Sequence, residues 1–207
     1  MVRSKSSKRW LAEHFDDPYV KRAQQQGWRS RSAFKLLELQ QKYRLIQPGM
    51  SVVDLGCAPG GWSQVARSLT GDKGQVIGLD ILPTEPIDGV EIIEGDFTEA
   101  GPMQDLERML GGKAVDLVLS DMAPNMSGVA VTDQAKAMYL SELALEFCRL
   151  HLKAGGDFVV KLFQGEGFDF YVREARALFE KVVVRKPDAS RPRSREVYLL
   201  ARGRRVR

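Results

Sequence analysis

Residues 51–62 read SVVDLGCAPGGW. Val52, Val53 and Leu55 make a short, nearly continuous apolar run of the kind that forms a buried strand, and a glycine-rich turn then opens into a helix. Gly56, Gly60 and Gly61 let the backbone approach a ligand where a Cβ would collide. Outward from this turn, strands and helices alternate. Residues 75–80 (QVIGLD), 90–94, 115–120 (VDLVLS), 157–163 (DFVVKLF), 181–185 and 196–201 have strand character. Residues 62–69, 102–110, 133–152 and 168–179 have helical character. Such alternation predicts an α/β fold, a mostly parallel sheet with helices on both faces. The last two strands are joined by a Pro-, Ser- and Arg-rich loop too short for a crossover helix, so they should pair antiparallel.

Upstream of the first strand the pattern is helical. Trp10, Leu11, His14 and Phe15 can share one face. Asp17-Pro18 suits the start of a second helix that Gly27 ends, and Ser30 or Ser32 can cap a third that Pro48-Gly49 stops. Residues 1–8 are polar and basic and are expected to form a mobile arm. Residues 1–207 are read as a single domain, with residues 9–47 a helical extension.

The composition, 43% hydrophobic and 28% charged over 207 residues, suits one globular core. No apolar run approaches the roughly 20 residues that span a bilayer. The basic start MVRSKSSKRW lacks the apolar stretch of a secretory signal. Cys57 and Cys148 lie in unlike contexts, which suits a reducing compartment, and with His14 and His151 they give no usual metal-ligand spacing. A cytoplasmic protein without a metal is expected. The net charge of +4 is unevenly spread. Residues 1–31 hold eight Lys/Arg against three Asp/Glu, residues 181–207 hold ten against two, and residues 32–180 are left with −9. Basic ends around an acidic centre are the footprint of a polyanion-binding surface; two solvated tails would give the same numbers. The C-terminal basic residues interleave with a strand pattern (VYLLA), which would hold them on the fold. RNA or DNA is the partner class this implies.

The glycine turn is not a dinucleotide fingerprint, because after Gly56 the next glycine comes four residues later rather than two. An acidic residue ending the first strand before a glycine turn suits S-adenosylmethionine, whose tail is a zwitterionic amino acid. A merely tight turn would look the same. Asp80 ends the second strand, where a carboxylate can grip a ribose diol. Asp96 follows the third, where it could accept a hydrogen bond from an adenine amino group. Either could instead cap a helix or make a turn. Open α/β sheets bind ligands at the carboxyl ends of their strands, and three carboxylates stand at successive strand ends.

Of the charged residues Lys35, Asp121, Lys161 and Glu196, this topology gathers the last three. Asp121 and Lys161 lie at or near the ends of the fourth and fifth parallel strands. Glu196 begins an antiparallel strand, so these three meet at one sheet edge. Two lysines facing two carboxylates beside a ligand turn suit proton abstraction from a weakly acidic hydroxyl, or else a structural ion-pair network.

The stretches DLGCAPGGW (54–62), SDMAPNMSG (120–128), VKLFQGE (160–166) and SREVY (194–198) resemble the FtsJ/RrmJ family. These are bacterial uridine 2′-O-methyltransferases of the large-subunit (23S) ribosomal RNA. RSRSAFK (29–35) matches the segment that supplies the family's first lysine, and the resemblance runs from about Trp10 to Ala201. It implies a Rossmann-like S-adenosylmethionine-dependent methyltransferase fold, a seven-stranded sheet with the last strand antiparallel. It implies a Lys–Asp–Lys–Glu tetrad on Lys35, Asp121, Lys161 and Glu196, and a donor site that includes Gly60, Trp62, Asp80, Asp96 and Asp121. The expected activity is methylation of a uridine ribose in ribosomal RNA, within the large subunit or its late precursor, in support of subunit assembly. Cys57 stands where the motif often has alanine, a small-for-small change.

A ribose 2′-hydroxyl is a poor nucleophile until its proton is at least partly withdrawn. Lys161 could withdraw it only as a neutral amine, whereas a free lysine titrates near about pH 10.4. Burial and Lys35 would favour the neutral form, Asp121 and Glu196 the charged one. General base and cationic stabiliser of the developing alkoxide both stay open for Lys161. Asp121 would orient Lys161 and face the sulfonium, while Lys35 and Glu196 would hold substrate and network in place. Arg29, Arg31, Arg191, Arg193 and Arg195 are expected on phosphates. Trp28 could stack on a base or anchor the core. A 2′-O-methyltransferase of tRNA or mRNA caps would share the tetrad, but the compact chain carries no appended domain for either substrate. A non-catalytic RNA-binding assembly factor should show a broken tetrad or donor turn, and neither is broken. A monomer suffices for all of this.

Overall fold

The computed structural model describes residues 17–206. The arm expected at 1–8 and the helical face at 10–15 lie outside them. Seven strands form one sheet: β1 (Ser51–Leu55), β2 (Gln75–Asp80), β3 (Glu91–Glu94), β4 (Val115–Ser120), β5 (Leu152–Phe163), β6 (Phe179–Arg185) and β7 (Glu196–Arg204). Their order is β3-β2-β1-β4-β5-β7-β6. Strands β1 to β5 pair parallel, and β7 runs antiparallel to both β5 and β6. The antiparallel last strand follows from its short connection, as the sequence predicts.

Six helices are described: α1 (Pro18–Gln26), α2 (Ala33–Tyr43), α3 (Gly61–Thr70), α4 (Ala100–Leu110), α5 (Ala130–His151) and α6 (Phe168–Leu178). On one face of the sheet Leu36, Trp62, Val65, Tyr198 and Leu200 form a core beneath α2 and α3. On the other, Leu106, Leu145, Phe158, Tyr171 and Leu199 pack with α4, α5 and α6. Strand β7 shows the period-2 division directly, with Val197, Leu199 and Ala201 in one cluster and Tyr198 and Leu200 in the other. Burial on both faces is why these strands read as continuous apolar runs. Each fully buried Leu or Val contributes roughly 1.5–3 kcal/mol.

Strand β1 pairs β2 on one side and β4 on the other, so the winding of the chain reverses there and a crevice opens outside the strand ends. Asp121 N–H donates to the Leu55 carbonyl at 3.0 Å, bringing the segment after β4 against the turn after β1. A Cβ on Gly56 would lie 2.8 Å from Met122 backbone atoms, so only glycine permits this approach.

Two boundaries and one cap depart most from expectation. Helix α2 stops at Tyr43, well before Pro48, because Arg44 takes a left-handed conformation (φ 49°). The Gln40 side chain fixes that turn by bonding both the N–H and the carbonyl of Ile46 at 2.8 Å. Strand β5 begins at Leu152, passing through Gly155 and Gly156 with a register shift against β4. Ser32 occupies the N-cap of α2 but makes no capping bond; its hydroxyl lies 2.6 Å from that of Ser30 instead.

Candidate active site

Strand alternation brings Lys161, Glu196 and Tyr198 onto the sheet face that α2 covers. Across the β5–β7 ladder Lys161 sits opposite Tyr198 and Phe163 opposite Glu196. From α2, Lys35 Nζ lies 2.5 Å from Glu196 Oε1 and donates to the Tyr198 hydroxyl at 3.2 Å. The Tyr198 hydroxyl donates to Asp121 Oδ1 at 2.8 Å. Lys161 Nζ donates to the Asp121 main-chain oxygen at 2.6 Å and lies 3.2 Å from Asp121 Oδ1. The structure thus brings the four predicted residues together in one unbroken chain, Glu196–Lys35–Tyr198–Asp121–Lys161.

Tyr198 is the link that the sequence alone leaves without a role. Its place two residues after Glu196 in a strand is the signal that puts both on one face. Its ring is fully buried and packs on Trp62 at 5.5 Å between centroids. Burial, reinforced by the Asp121 and Glu196 carboxylates, pushes its phenol well above the usual pKa, so it remains an O–H donor. Ser190 is a second residue that sequence patterns do not single out: buried in the β6–β7 loop, it donates to Glu196 Oε1 at 2.9 Å.

Beside the chain lies a cavity of about 350 Å³ at the strand ends, within the size range of small-molecule sites. Asp80, Asp96 and Asp121 line it together with the apolar Leu79, Ile81, Phe97 and Leu140. Asp80 accepts from Ala58 N–H and Leu82 N–H, each at 2.9 Å. Asp96 Oδ1 accepts from the Thr98 N–H at 2.8 Å and its hydroxyl at 2.7 Å. Both therefore make turns as well as facing the cavity, and a carboxylate's four or so lone-pair sites leave room for a ligand's donors. Acceptors for a diol and an amine, with apolar walls for a base, fit a nucleoside.

Gly60 and Trp62 do not line this cavity. Gly60 starts α3 at φ 110°, and a Cβ there would meet Ile87 Cδ1 at 2.6 Å. Trp62 is buried, its indole N–H donating to the Ser32 carbonyl at 2.8 Å, so both residues shape the turn from behind. Asp54 lies fully buried beneath the turn, where Ser63 Oγ donates to its Oδ2 at 2.6 Å and its Oδ1 has no partner. Burial pushes its pKa up to about 7, against the Ser63 bond, with Asp121 and Asp80 adding to the rise. Among the described residues no cluster of His, Cys, Asp or Glu could hold a metal ion.

A second concavity, of about 440 Å³, opens at the tetrad's outer side and is lined by Arg31, Lys35, Arg191, Arg193, Ser194 and Glu196. Arg31 and Arg191 also approach Asp17, at 3.1 and 3.9 Å, and Arg195 is exposed on the same loop. Arg29, also expected on phosphates, does not line this concavity; its guanidinium donates to three main-chain carbonyls, Pro59 at 3.3 Å, Glu85 at 2.5 Å and Pro86 at 2.6 Å. Trp28 is half-buried against Ala23, Phe34 and Ala189, as a core anchor.

Residues 28–204 match the family model described as FtsJ-like methyltransferase. The chain is 60% identical over 203 residues, 98% of both chains, to "Ribosomal RNA large subunit methyltransferase E" of Stutzerimonas stutzeri. It is 62% identical over 201 residues to the protein of the same name from Alkalilimnicola ehrlichii, covering 97% of this chain and 96% of that one. A crystal structure from Plasmodium falciparum, described provisionally as a ribosomal RNA methyltransferase, superposes with a TM-score of 0.79. It shares 29% identity, covering 87% of this chain and all of that one.

Proposed function

Because the chain belongs to the FtsJ-like methyltransferase family, we propose that it methylates the 2′-hydroxyl of a uridine ribose in the 23S ribosomal RNA of the large subunit. S-adenosylmethionine is the donor and the cavity beside Asp121 is its site. The observation that carries this reading is the unbroken chain from Glu196 to Lys161, which lines the cavity through Asp121 and the basic concavity through Lys35 and Glu196.

The bound donor supplies an electrophilic methyl group on a sulfonium. The carboxylates of Asp80 and Asp96 would hold its ribose and base, and that of Asp121 would offset the charge of its sulfur. Lys161 Nζ donates to the Asp121 main-chain oxygen and lies 3.2 Å from its Oδ1, and a further N–H of its three is available to the incoming 2′-hydroxyl. Holding that oxygen in line is worth roughly 7–11 kcal/mol of the barrier in well-oriented systems. As the O–CH₃ bond forms and the S–CH₃ bond breaks, the hydroxyl proton is released, giving a methyl ether, a thioether and one proton. Lys35, fixed by Glu196 and Tyr198, carries positive charge to the mouth where the nucleotide enters. Arg31, Arg191, Arg193 and Arg195 hold the flanking phosphates. The same reading takes the chain as one catalytic domain with residues 9–47 on its RNA side, acting as a cytoplasmic monomer late in subunit assembly.

Labelled S-adenosylmethionine offered with large-subunit particles, small-subunit particles or tRNA tests it. Label on the first alone is expected. Label on tRNA alone would reject the substrate assignment.

A further inference from the structure

Between β2 and β3 the chain makes a ten-residue excursion, 81–90, of irregular structure. Ile81 and Leu82 at its start form part of the donor cavity wall. Pro83 and Pro86 contribute no N–H, and most of the segment is exposed. Among the described residues its tertiary hydrogen bonds run from Arg29 to the Glu85 and Pro86 carbonyls and, at 3.9 Å, between Thr84 Oγ1 and Cys57 Sγ. The same guanidinium reaches the Pro59 carbonyl of the glycine turn. An arginine is suited to this because its planar fork donates in several fixed directions at once, which an ammonium cannot imitate.

Arg29 is itself immobilised. Its N–H donates to Gln64 Oε1 at 2.8 Å, and Gln64 Nε2 returns a bond to the Gly27 carbonyl at 3.2 Å. The Trp62–Ser32 bond holds the other end of the same connection. Gly60 completes the fit. A Cβ there would come within 3.2 Å of Arg29 Cδ and 2.6 Å of Ile87 Cδ1, so the bare glycine is what lets the arginine and the excursion close over the turn. The connection that bears Arg29 runs straight into α2 and Lys35, so one short segment touches both the donor turn and the tetrad.

We propose that Arg29 is a positioning residue for the methyl donor, clamping residues 85–86 to the Pro59 carbonyl and thereby fixing the cavity wall at Ile81 and Leu82. This rests on the reading of that cavity as the S-adenosylmethionine site. The clamp, rather than a phosphate contact, is the work of this arginine.

The test compares wild type, Arg29→Lys and Arg29→Ala for calorimetric binding of S-adenosylhomocysteine, KM for the donor, kcat at saturating donor, and the salt dependence of RNA binding. The clamp predicts that Arg29→Lys, despite keeping its charge, raises the S-adenosylhomocysteine Kd and the donor KM at least tenfold. It predicts kcat within threefold of wild type and an unchanged salt slope. A role confined to fold stability would lower the melting temperature and leave Kd and KM in place, overturning the proposal. A phosphate contact would flatten the salt slope in Arg29→Ala and spare it in Arg29→Lys with donor binding normal, which also overturns it. Should Arg29→Ala fail to fold, Arg29→Lys decides alone. Failure of wild type itself to bind S-adenosylhomocysteine would strike the donor assignment instead.

Discussion

Removing one oxygen from Tyr198 should cost this protein most of its turnover while leaving its fold in place. In Tyr198→Phe the ring stays packed on Trp62, but the hydroxyl that accepts from Lys35 at 3.2 Å and donates to Asp121 at 2.8 Å is gone. A hydrogen bond to a charged group is worth about 1.5–3 kcal/mol. Asp121 in turn holds Lys161, so a loss expressed wholly in the transition state lowers kcat/KM by roughly 10–150-fold. Stability should fall by less, since packing survives: about 1–2 kcal/mol, or roughly 2–8 °C in Tm for a chain of this size. Single-turnover methyl transfer separates chemistry from donor binding, which should change less than threefold. Combining Tyr198→Phe with Lys35→Met should give much less than the product of the two effects, because the residues act through one network. A kcat/KM within twofold of wild type, or strictly multiplicative losses, would refute the hydrogen-bonded chain as a functional unit.

Lys161→Ala should abolish methyl transfer while donor binding, measured by calorimetry, stays near normal; comparable turnover would remove Lys161 from the site. Asp54 gives a pH signature. Its folded pKa of about 7 lies above its ordinary 3.8, so between those values the folded state keeps a proton that the unfolded state has lost, and stability falls as pH rises through that window. Asp54→Asn should flatten this part of the Tm–pH curve, and parallel curves for variant and wild type would contradict the buried neutral acid. Neutralising Arg193 and Arg195 together should lower the salt slope of RNA binding by about 0.7–0.9 for each phosphate no longer neutralised. An unchanged slope would move the RNA elsewhere.

Much of this is legible in the sequence because it follows from periodicity and chain direction. Alternating β and α patterns dictate strand ends along one edge, and the short connection before Glu196 dictates the antiparallel β7 that brings Glu196 beside Lys161. What the sequence hides depends on side-chain direction in three dimensions. Arg29 lies in a basic segment like any phosphate ligand, and only the fold shows the three carbonyls that occupy it. Trp62 follows the ligand turn, yet helical geometry rotates its indole toward Ser32. Tyr198 stands inside the SREVY stretch without a role, since a buried tyrosine in a strand is ordinary core until a lysine and a carboxylate are seen on its hydroxyl. The early stop of α2 rests on a left-handed Arg44, a conformation glycine or asparagine would have signalled. The strand pattern reads from Asp157, whereas β5 begins at Leu152, and residues 153–156 lie out of register between the Val115–Leu152 and Leu117–Asp157 pairs.

The most direct measurement is nucleoside mass spectrometry of large-subunit ribosomal RNA after incubation of undermodified particles with S-adenosylmethionine and either wild type or Lys161→Ala. The tetrad mechanism predicts 2′-O-methyluridine from wild type and none above background from the variant. A methyl group on a base, or equal ribose methylation by both proteins, would contradict it.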